Sequence, residues 1–349
     1  MRMYQYVPAL HSLGIDLVIS PLLRDGYLNR FYAGQATDWG ELIADYLVRI
    51  AGLFRAGKFD LLWIEKELFP NFPAWFEQAL AAMGVRYVID IDDAVFHNYD
   101  QSTNRYQKLL AHKLDKVMAG STLVLCGNGY LAHRARSAGA ARVELLPTVI
   151  DLQRYAAVPA PERRQVVIGW CGSPSTVRYL EIAAPALQEL SREFCLQLRV
   201  IGAKFAWDGI DVDCRPWSED FEVREIQDFD LGIMPLQDTP WERGKCGYKL
   251  IQYMACGKPV VASSVGANEQ IVIHGVNGYL ASTPECWSAA LRELIANPAK
   301  RAAAGVQGRA LVEKQYCLQV AAPRVAEMFQ ECVGGAMIQP SVPAPWRTP

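Results

Sequence analysis

The sequence predicts an α/β protein with two doubly wound parallel sheets in tandem. Short apolar runs alternate with amphipathic segments of helical period along its 349 residues, which is typical of parallel strands joined by helices. The alternation is interrupted at residues 147–165, where prolines and a charged cluster indicate a linker. Two Rossmann-like domains in this order face each other across a cleft, because ligands of such sheets bind beyond the carboxyl ends of the strands.

The predicted strands form two series. They are residues 17–19, 61–64, 87–91, 123–126 and 143–146 in the first half, and residues 166–170, 196–201, 212–215, 231–235, 259–262 and 278–281 in the second. We therefore predict an N-terminal domain over residues 1–150, a C-terminal domain over 151–333 and a disordered, proline-containing tail over 334–349. The predicted helices at 298–315 and 318–333 are candidates for crossing back onto the first domain.

The first residues depart from the usual order of a doubly wound domain, which begins with a strand and a glycine-containing turn. Here an amphipathic helix, MRMYQYVPAL, precedes the apolar run at residues 17–19. Two explanations are open. Either the first strand and its loop are missing from this chain, or the sheet begins with the strand at residues 17–19.

Composition narrows the class of protein. Hydrophobic residues make up 51% of the chain and charged residues 21%, which indicates a packed core and not a disordered chain. A net charge of −2 does not favour a nucleic-acid-binding protein. The nine cysteines match no metal-site spacing, and neither a signal peptide nor an apolar membrane span is present. These features predict reduced thiols in a soluble, cytoplasmic protein.

Two glycine-containing loops are candidate phosphate sites. Gly247 and Tyr248 begin a predicted helix in the C-terminal domain, where backbone N–H groups and the helix dipole favour an anion, and Lys245 and Lys249 add positive charge. The alternative is a surface loop with solvated lysines. The second loop, with Gly172 and Ser173, follows the predicted strand at 166–170, and it serves equally well as a plain turn before a capped helix.

Five motifs carry a resemblance to a known family. The segment GYKLIQYMACGKPVVAS resembles the donor-binding signature of the family-4, or group 1, glycosyltransferases. LPTVIDLQRY, IGWCGSPS, DLGIMPL and HGVNGYLA resemble further motifs of that family and stand in its order, so that the resemblance covers residues 146–333. It implies the two-domain GT-B fold and a retaining transfer of a sugar from a nucleotide-sugar donor to an acceptor hydroxyl, in glycan or glycolipid biosynthesis.

The chain departs from this family at its acidic positions. The first glutamate of the donor signature, which meets the donor sugar, falls on Gly244, and the second, which meets the ribose, falls on Gln252. An amide can still bind a ribose hydroxyl, so Gln252 is a candidate ligand. Of the two cations expected after the glycine loop only Arg178 is present, which leaves the second charge to Lys245 or Lys249. With these cations a metal ion is not required.

Polar side chains at the strand ends of the N-terminal domain indicate the acceptor side of the cleft. WIEKE follows one predicted strand, DIDDAVFHNYD the next and Asn128 a third. We predict that Asp92, Asp93 and His97 are catalytic, although a structural role for His97 is equally open. Asp90 and Asp92 also form an Asp-x-Asp pattern typical of metal-binding GT-A enzymes, but the donor signature lies far downstream, and Asp90 suits an internally bonded residue.

Two rival functions are open. A nucleotide-sugar epimerase of the GT-B type would use the same diphosphate site, and the missing glutamate at Gly244 would also suit a non-catalytic nucleotide-sugar-binding protein. The expected partners are a nucleotide-sugar donor and a glycan or lipid-linked acceptor, without nucleic acid. A lipid-linked acceptor would bring the protein into peripheral contact with the inner face of the membrane.

Overall fold

The computed structural model describes residues 2–24, 26–27, 30, 35–159, 161 and 163–334. Within these residues the chain forms two parallel sheets with helices packed on them, as predicted. Of the predicted tail at 334–349, residues 335–349 lie outside the described residues. In the described part of the chain, no helix combines the length and the apolar character needed to cross a lipid bilayer.

The N-terminal sheet has four parallel strands in chain order. They are β1 (Leu62–Glu65), β2 (Tyr87–Ile91), β3 (Leu123–Cys126) and β4 (Val143–Leu145). In the register of the two central strands, Asp90 is opposite Leu125 and Ile91 is opposite Cys126. The loops after β1, β2 and β3 therefore leave the sheet at one edge, which brings residues 66, 92 and 127 to the same side.

The C-terminal sheet has six parallel strands in the order β10-β9-β8-β5-β6-β7. They are β5 (Val166–Cys171), β6 (Leu196–Ile201), β7 (Val212–Arg215), β8 (Leu231–Met234), β9 (Val260–Ser263) and β10 (Gly278–Ala281). The chain winds outward from β5 to β7 and then returns to place β8 on the other side of β5. The connections thus diverge between the carboxyl ends of β5 and β8, which is where doubly wound sheets bind their ligands.

Helices cover both sheets. The longer ones are Trp39–Leu53, Trp75–Ala82, Lys113–Ala119, Gly129–Ser137, Ala184–Leu190, Tyr248–Ala255, Pro284–Ala296, Pro298–Gln315 and Leu318–Val333, and shorter ones are Val7–Ser12, His97–Asp100, Arg105–Leu109, Glu222–Gln227, Pro240–Arg243 and Asn268–Ile271. Asp38 caps the N-terminus of the helix Trp39–Leu53, and its carboxylate accepts hydrogen bonds from the backbone N–H groups of Gly40 and Glu41.

One local prediction is wrong. Residues 17–19 are not a strand, and residues 15–20 adopt neither helix nor strand, so the first strand of the sheet in the chain is β1. Val18 is 72% exposed there, which shows that an apolar run without a paired neighbour does not become a strand. The amphipathic segment at residues 106–118 is divided between two helices, Arg105–Leu109 and Lys113–Ala119.

The last helix crosses back onto the first domain, as the fold prediction allowed. Leu318–Val333 shares a core with Val88 of β2, Leu123 of β3 and the N-terminal residues Tyr6 and Leu10. An ion pair of 2.6 Å between Arg142 and Glu331 adds a polar contact. This helix, which the sequence placed in the C-terminal domain, therefore packs with the N-terminal domain and ties the two together.

Candidate active site

The turn after β5 brings a glycine against a lysine at the switch point of the C-terminal sheet. Gly172 donates its backbone N–H to Ile201 O at 3.0 Å, which fixes the turn on the end of β6. A Cβ atom at this position would collide with the Trp170 ring and lie 2.7 Å from the Nζ atom of Lys249. Only glycine leaves room for the ammonium group to reach the turn.

Lys249 lies on the first turn of the helix Tyr248–Ala255. Gly247 precedes this helix with φ 66°, a left-handed conformation that glycine adopts without strain. The Nζ atom lies 4.3 Å from the centroid of the Trp170 ring, and no hydrogen bond or ion pair to it is formed within the described residues. Burial, with a smaller repulsion from Lys245, lowers the pKa of Lys249 to about 8. An anion placed beside it would restore its charge.

One lysine from each domain lies close to two aspartates of the N-terminal domain. Lys245 Nζ lies 4.0 Å from Asp93 Oδ1 across the cleft, and Lys66 Nζ lies 3.2 Å from Asp92 Oδ1 and 3.8 Å from Asp93 Oδ2. Lys66 follows β1 with φ 60°, which is rare outside glycine and typical of functional sites. Burial and repulsion from Asp92 raise the pKa of Asp93, more than Lys245 and Lys66 lower it.

The two domains touch directly beside these charges. Cys246 donates its thiol to the carbonyl oxygen of Asp92 at 2.9 Å, and burial raises the pKa of this thiol, which keeps its proton in place. Asn128 donates its side-chain amide to Arg243 O at 3.2 Å and to Lys245 O at 3.0 Å. The loop of residues 243–246 is therefore held by the N-terminal domain.

The same contact explains the glycine that replaces the first signature glutamate. A Cβ atom at Gly244 would collide with Ala94 Cβ and lie 2.7 Å from the backbone nitrogen of Ala94. On the other side, a Cβ atom at Gly127 would collide with Cys246 Sγ. No side chain fits at position 244 in this arrangement. Glycine at this position allows close backbone contact between the domains, where a glutamate would not fit.

Most of the predicted site residues are gathered in this region. Gly172, Ser173, Lys245, Gly247, Tyr248 and Lys249 lie at the ends of β5 and at the helix start, and Asp92 and Asp93 face them from the N-terminal domain. The Ser173 hydroxyl is exposed and forms a hydrogen bond of 2.8 Å with the Ser175 hydroxyl. Tyr248 is 40% exposed at the start of its helix.

Three predicted residues have other surroundings. Both ring nitrogens of His97 are occupied, by Asp100 Oδ1 at 2.7 Å and the Tyr130 hydroxyl at 2.8 Å, which favours the structural role that the sequence left open. Gln252 is 2% exposed and donates to the Tyr155 hydroxyl, so a ribose could reach it only after rearrangement. The roles predicted for these two residues stay predictions that this geometry does not favour.

Arg178 is the third of these residues. Its guanidinium group is exposed and lies 5.2 Å from the centroid of the Tyr179 ring. The Tyr179 hydroxyl in turn donates to the buried carboxylate of Glu242. Arg178 follows the loop at the end of β5 and so borders the site. Its side chain is long enough to turn toward a bound anion. Its predicted role stays a prediction.

The Asp-x-Asp pattern is not a metal site in this geometry. Asp90 is 1% exposed and forms a 3.1 Å ion pair with Arg2, as expected for an internally bonded residue. Among the residues that the structure describes, no three His, Cys, Asp or Glu side chains are grouped as metal ligands. Burial raises the pKa of Asp90 to about 6, partly offset by Arg2.

Sequence reasoning missed Lys66 and the contacts of Asn128 and Cys246. Lys66 stands inside the WIEKE motif, and its position directly after β1 is the signal that could have identified it. The interdomain role of Cys246 left no such signal, because a lone cysteine between Lys245 and Gly247 is ordinarily just a buried thiol.

Comparison with known proteins agrees with this architecture. Residues 165–297 match the profile of the family described as glycosyl transferases group 1, which confirms the resemblance found in the motifs. D-inositol 3-phosphate glycosyltransferase of Thermobispora bispora is 32% identical over 106 residues, which are 30% of this chain and 23% of the relative. The match thus spans about a quarter of that relative's length.

Solved structures extend the similarity to both domains. Sucrose-phosphate synthase from Thermosynechococcus elongatus superimposes with a TM-score of 0.65 over 86% of this chain and 81% of its own, at 15% identity. HepE of Anabaena, solved in complex with UDP, gives a TM-score of 0.64 over 81% of this chain and 82% of its own, also at 15% identity. At such identities the similarity establishes the fold, and the predicted GT-B architecture is confirmed.

Proposed function

We propose that this chain, whose residues 165–297 match the profile of the glycosyl transferases group 1, transfers a sugar from a nucleoside diphosphate donor to an acceptor hydroxyl with retention of configuration. The observation that carries the proposal is the position of Lys249. Its ammonium group lies beside the Gly172 turn, where the described residues supply it with no anion. Lys249 is half-buried, and a cation that is partly withdrawn from water without a counterion is costly unless a ligand provides one.

The donor diphosphate would occupy the space between the Gly172 turn and the start of the helix Tyr248–Ala255. Backbone N–H groups at the helix start, the hydroxyl of Ser173 and the ammonium groups of Lys245 and Lys249 are the available donors. When the bond between the anomeric carbon and the phosphate oxygen breaks, negative charge grows on the leaving diphosphate. Fixed dipoles and cations in a partly closed site stabilise that charge without reorganisation.

The acceptor would approach from the N-terminal domain. Asp92 and Asp93 lie on that side and are held by Lys66, so they are suited to orient an acceptor hydroxyl and to favour positive charge on the sugar ring. With retention, the hydroxyl attacks on the face that the diphosphate leaves, and its proton passes to a phosphate oxygen. The contact between the domains would keep water from the donor.

The proposal assigns the diphosphate charge to protein cations and amides, and it requires no metal ion. This assignment is tested by activity in the presence of EDTA, which should leave turnover unchanged. Loss of activity with EDTA and its recovery with Mg²⁺ or Mn²⁺ would contradict the metal-free assignment.

The donor can be identified by a thermal-shift screen with UDP, GDP, ADP and their sugars. A nucleotide that binds the folded protein raises its melting temperature, by an amount that grows with concentration over Kd. UDP is the first probe, because the similar HepE protein was solved with it. An α-linked donor should then give an α-linked product by NMR. Inversion would contradict retention, and a changed sugar without any acceptor would support an epimerase instead.

The acceptor class is a glycan or a lipid-linked sugar, and we keep a cytoplasmic location with peripheral membrane contact as part of the proposal. Group 1 membership and the name of the Thermobispora relative, an inositol phosphate glycosyltransferase, support a polyhydroxyl acceptor. Sedimentation with liposomes that contain anionic lipid tests the membrane contact. Recovery of all protein in the supernatant would argue against it.

A further inference from the structure

Asn128 of the N-terminal domain binds the backbone of the loop that leads to Lys249. Asn128 is 3% exposed, and both halves of its amide are engaged. Its Oδ1 atom accepts from the backbone N–H of Leu131 at 3.0 Å and so caps the helix Gly129–Ser137. Its Nδ2 atom donates to the carbonyls of Arg243 and Lys245. One residue thus joins the first turn of an N-terminal helix to the loop of the C-terminal domain.

The loop of residues 243–246 sets the positions of the lysines in the proposed diphosphate site. It carries Lys245 and ends at Gly247, which begins the helix of Lys249. The closeness of the domains here is reflected in the sequence, since a Cβ atom at Gly127 or at Gly244 would collide with the opposite domain. Movement of Arg243 and Lys245 away from Asn128 would therefore carry Lys245 away from Asp93 and shift the start of the helix that carries Lys249.

We propose that Asn128 is a positioning residue that holds the loop of residues 243–246 in its ligand-binding geometry. It does not touch the ligand in this role. It makes the site for a nucleoside diphosphate depend on contact between the two domains, so that the cations are assembled only when the acceptor domain is in place. The inference rests on the proposed function, but the loop geometry can be measured without any nucleotide.

The test uses Asn128→Asp in the full chain. Aspartate retains an oxygen that caps Leu131, but it cannot donate to the carbonyls of Arg243 and Lys245. Asn128→Ser is the uncharged second variant, because serine also caps helices. The matched control is Asn104→Asp, since Asn104 caps the helix Arg105–Leu109 in the same way, with its Oδ1 atom 2.8 Å from Tyr106 N, at an exposed site.

Two readouts separate the possible failures. Hydrogen exchange of peptides that span residues 241–250, without ligand, should become about tenfold faster in both Asn128 variants and stay unchanged in the control. The Kd for the nucleoside diphosphate that stabilises the wild type, with UDP tried first, should rise about tenfold in both variants.

Unchanged exchange in both variants would overturn the positioning role, whatever the nucleotide result. Faster exchange at unchanged Kd would also overturn it, because the loop would then be held without consequence for binding. If the loop loosens while the wild type binds none of UDP, GDP or ADP, the loop anchoring is supported and the proposed function fails.

Discussion

Lys249 holds its ammonium group 4.3 Å above the centroid of the Trp170 ring, at the carboxyl end of β5. The two residues belong to different βα units, and the ring face offers the cation a weak attraction but no neutralising charge. Burial therefore lowers the pKa of Lys249 to about 8. A lysine with its pKa lowered in this way should respond to pH and to a bound anion, and both responses can be measured.

The affinity for the nucleoside diphosphate should decrease as the pH rises. Lys249 is charged below a pKa of about 8 in the free protein, and a bound diphosphate raises that pKa, so binding is strongest below pH 8 and weakens as the pH passes it. We expect Kd to rise by up to about tenfold per pH unit above pH 8. Calorimetric titration with UDP between pH 7 and 9.5 measures this slope, and a flat profile would exclude Lys249 as the titrating ligand.

Gly172→Ala should damage both folding and binding. The added Cβ atom would collide with the Trp170 ring and lie 2.7 Å from Lys249 Nζ, which should cost about 1–3 kcal/mol of unfolding free energy and displace the ammonium group. Urea denaturation and UDP titration measure the two effects. The control is Gly52→Ala, which meets nothing within 4 Å inside the helix Trp39–Leu53 and should be neutral or stabilising. Equal UDP affinity in both variants would contradict the close approach.

Asp93→Asn should lower turnover without a comparable loss of donor binding. The carboxylate lies 4.0 Å from Lys245 on the acceptor side, so its removal should affect the transition state more than the bound nucleotide. We expect kcat to fall about a hundredfold, with the Kd for UDP within threefold of wild type. Exposed Asp60→Asn is the control. A normal kcat in Asp93→Asn would remove this aspartate from the reaction.

His97→Gln separates a catalytic role from a structural one. With both ring nitrogens bonded to Asp100 and Tyr130, the substitution should cost about 1–3 kcal/mol of unfolding free energy. The value of kcat, measured well below the melting temperature, should change less than threefold. A hundredfold fall of kcat at an unchanged melting temperature would restore the catalytic role predicted from the sequence.

Much of the fold and of the donor side was predictable because it depends on local patterns. Gly172, Lys245 and Lys249 were identified from their positions after a strand or at a helix start, and parallel topology brings such positions to one edge of the sheet. The strand predicted at residues 17–19 is wrong because an apolar run does not by itself provide a pairing partner.

The contacts between the domains were not predictable in the same way. The reason for glycine at position 244 is the backbone of Ala94, 150 positions away in sequence. The pairing of Lys66 with Asp92 depends on the left-handed conformation at the end of β1. No periodicity encodes such details, which follow from how the two sheets are placed against each other.

The affinity of Lys249→Met for the nucleoside diphosphate tests the central claim most directly. Methionine fills the space over Trp170 without the charge. The variant should keep or raise the melting temperature, since a half-buried cation without an anion is removed. Its control is Lys258→Met, which removes a buried lysine that donates to Val158 O at 3.0 Å. We predict that UDP, or whichever nucleotide stabilises the wild type, binds at least tenfold more weakly to Lys249→Met and normally to Lys258→Met. Equal affinity in wild type and Lys249→Met would contradict the proposed diphosphate site.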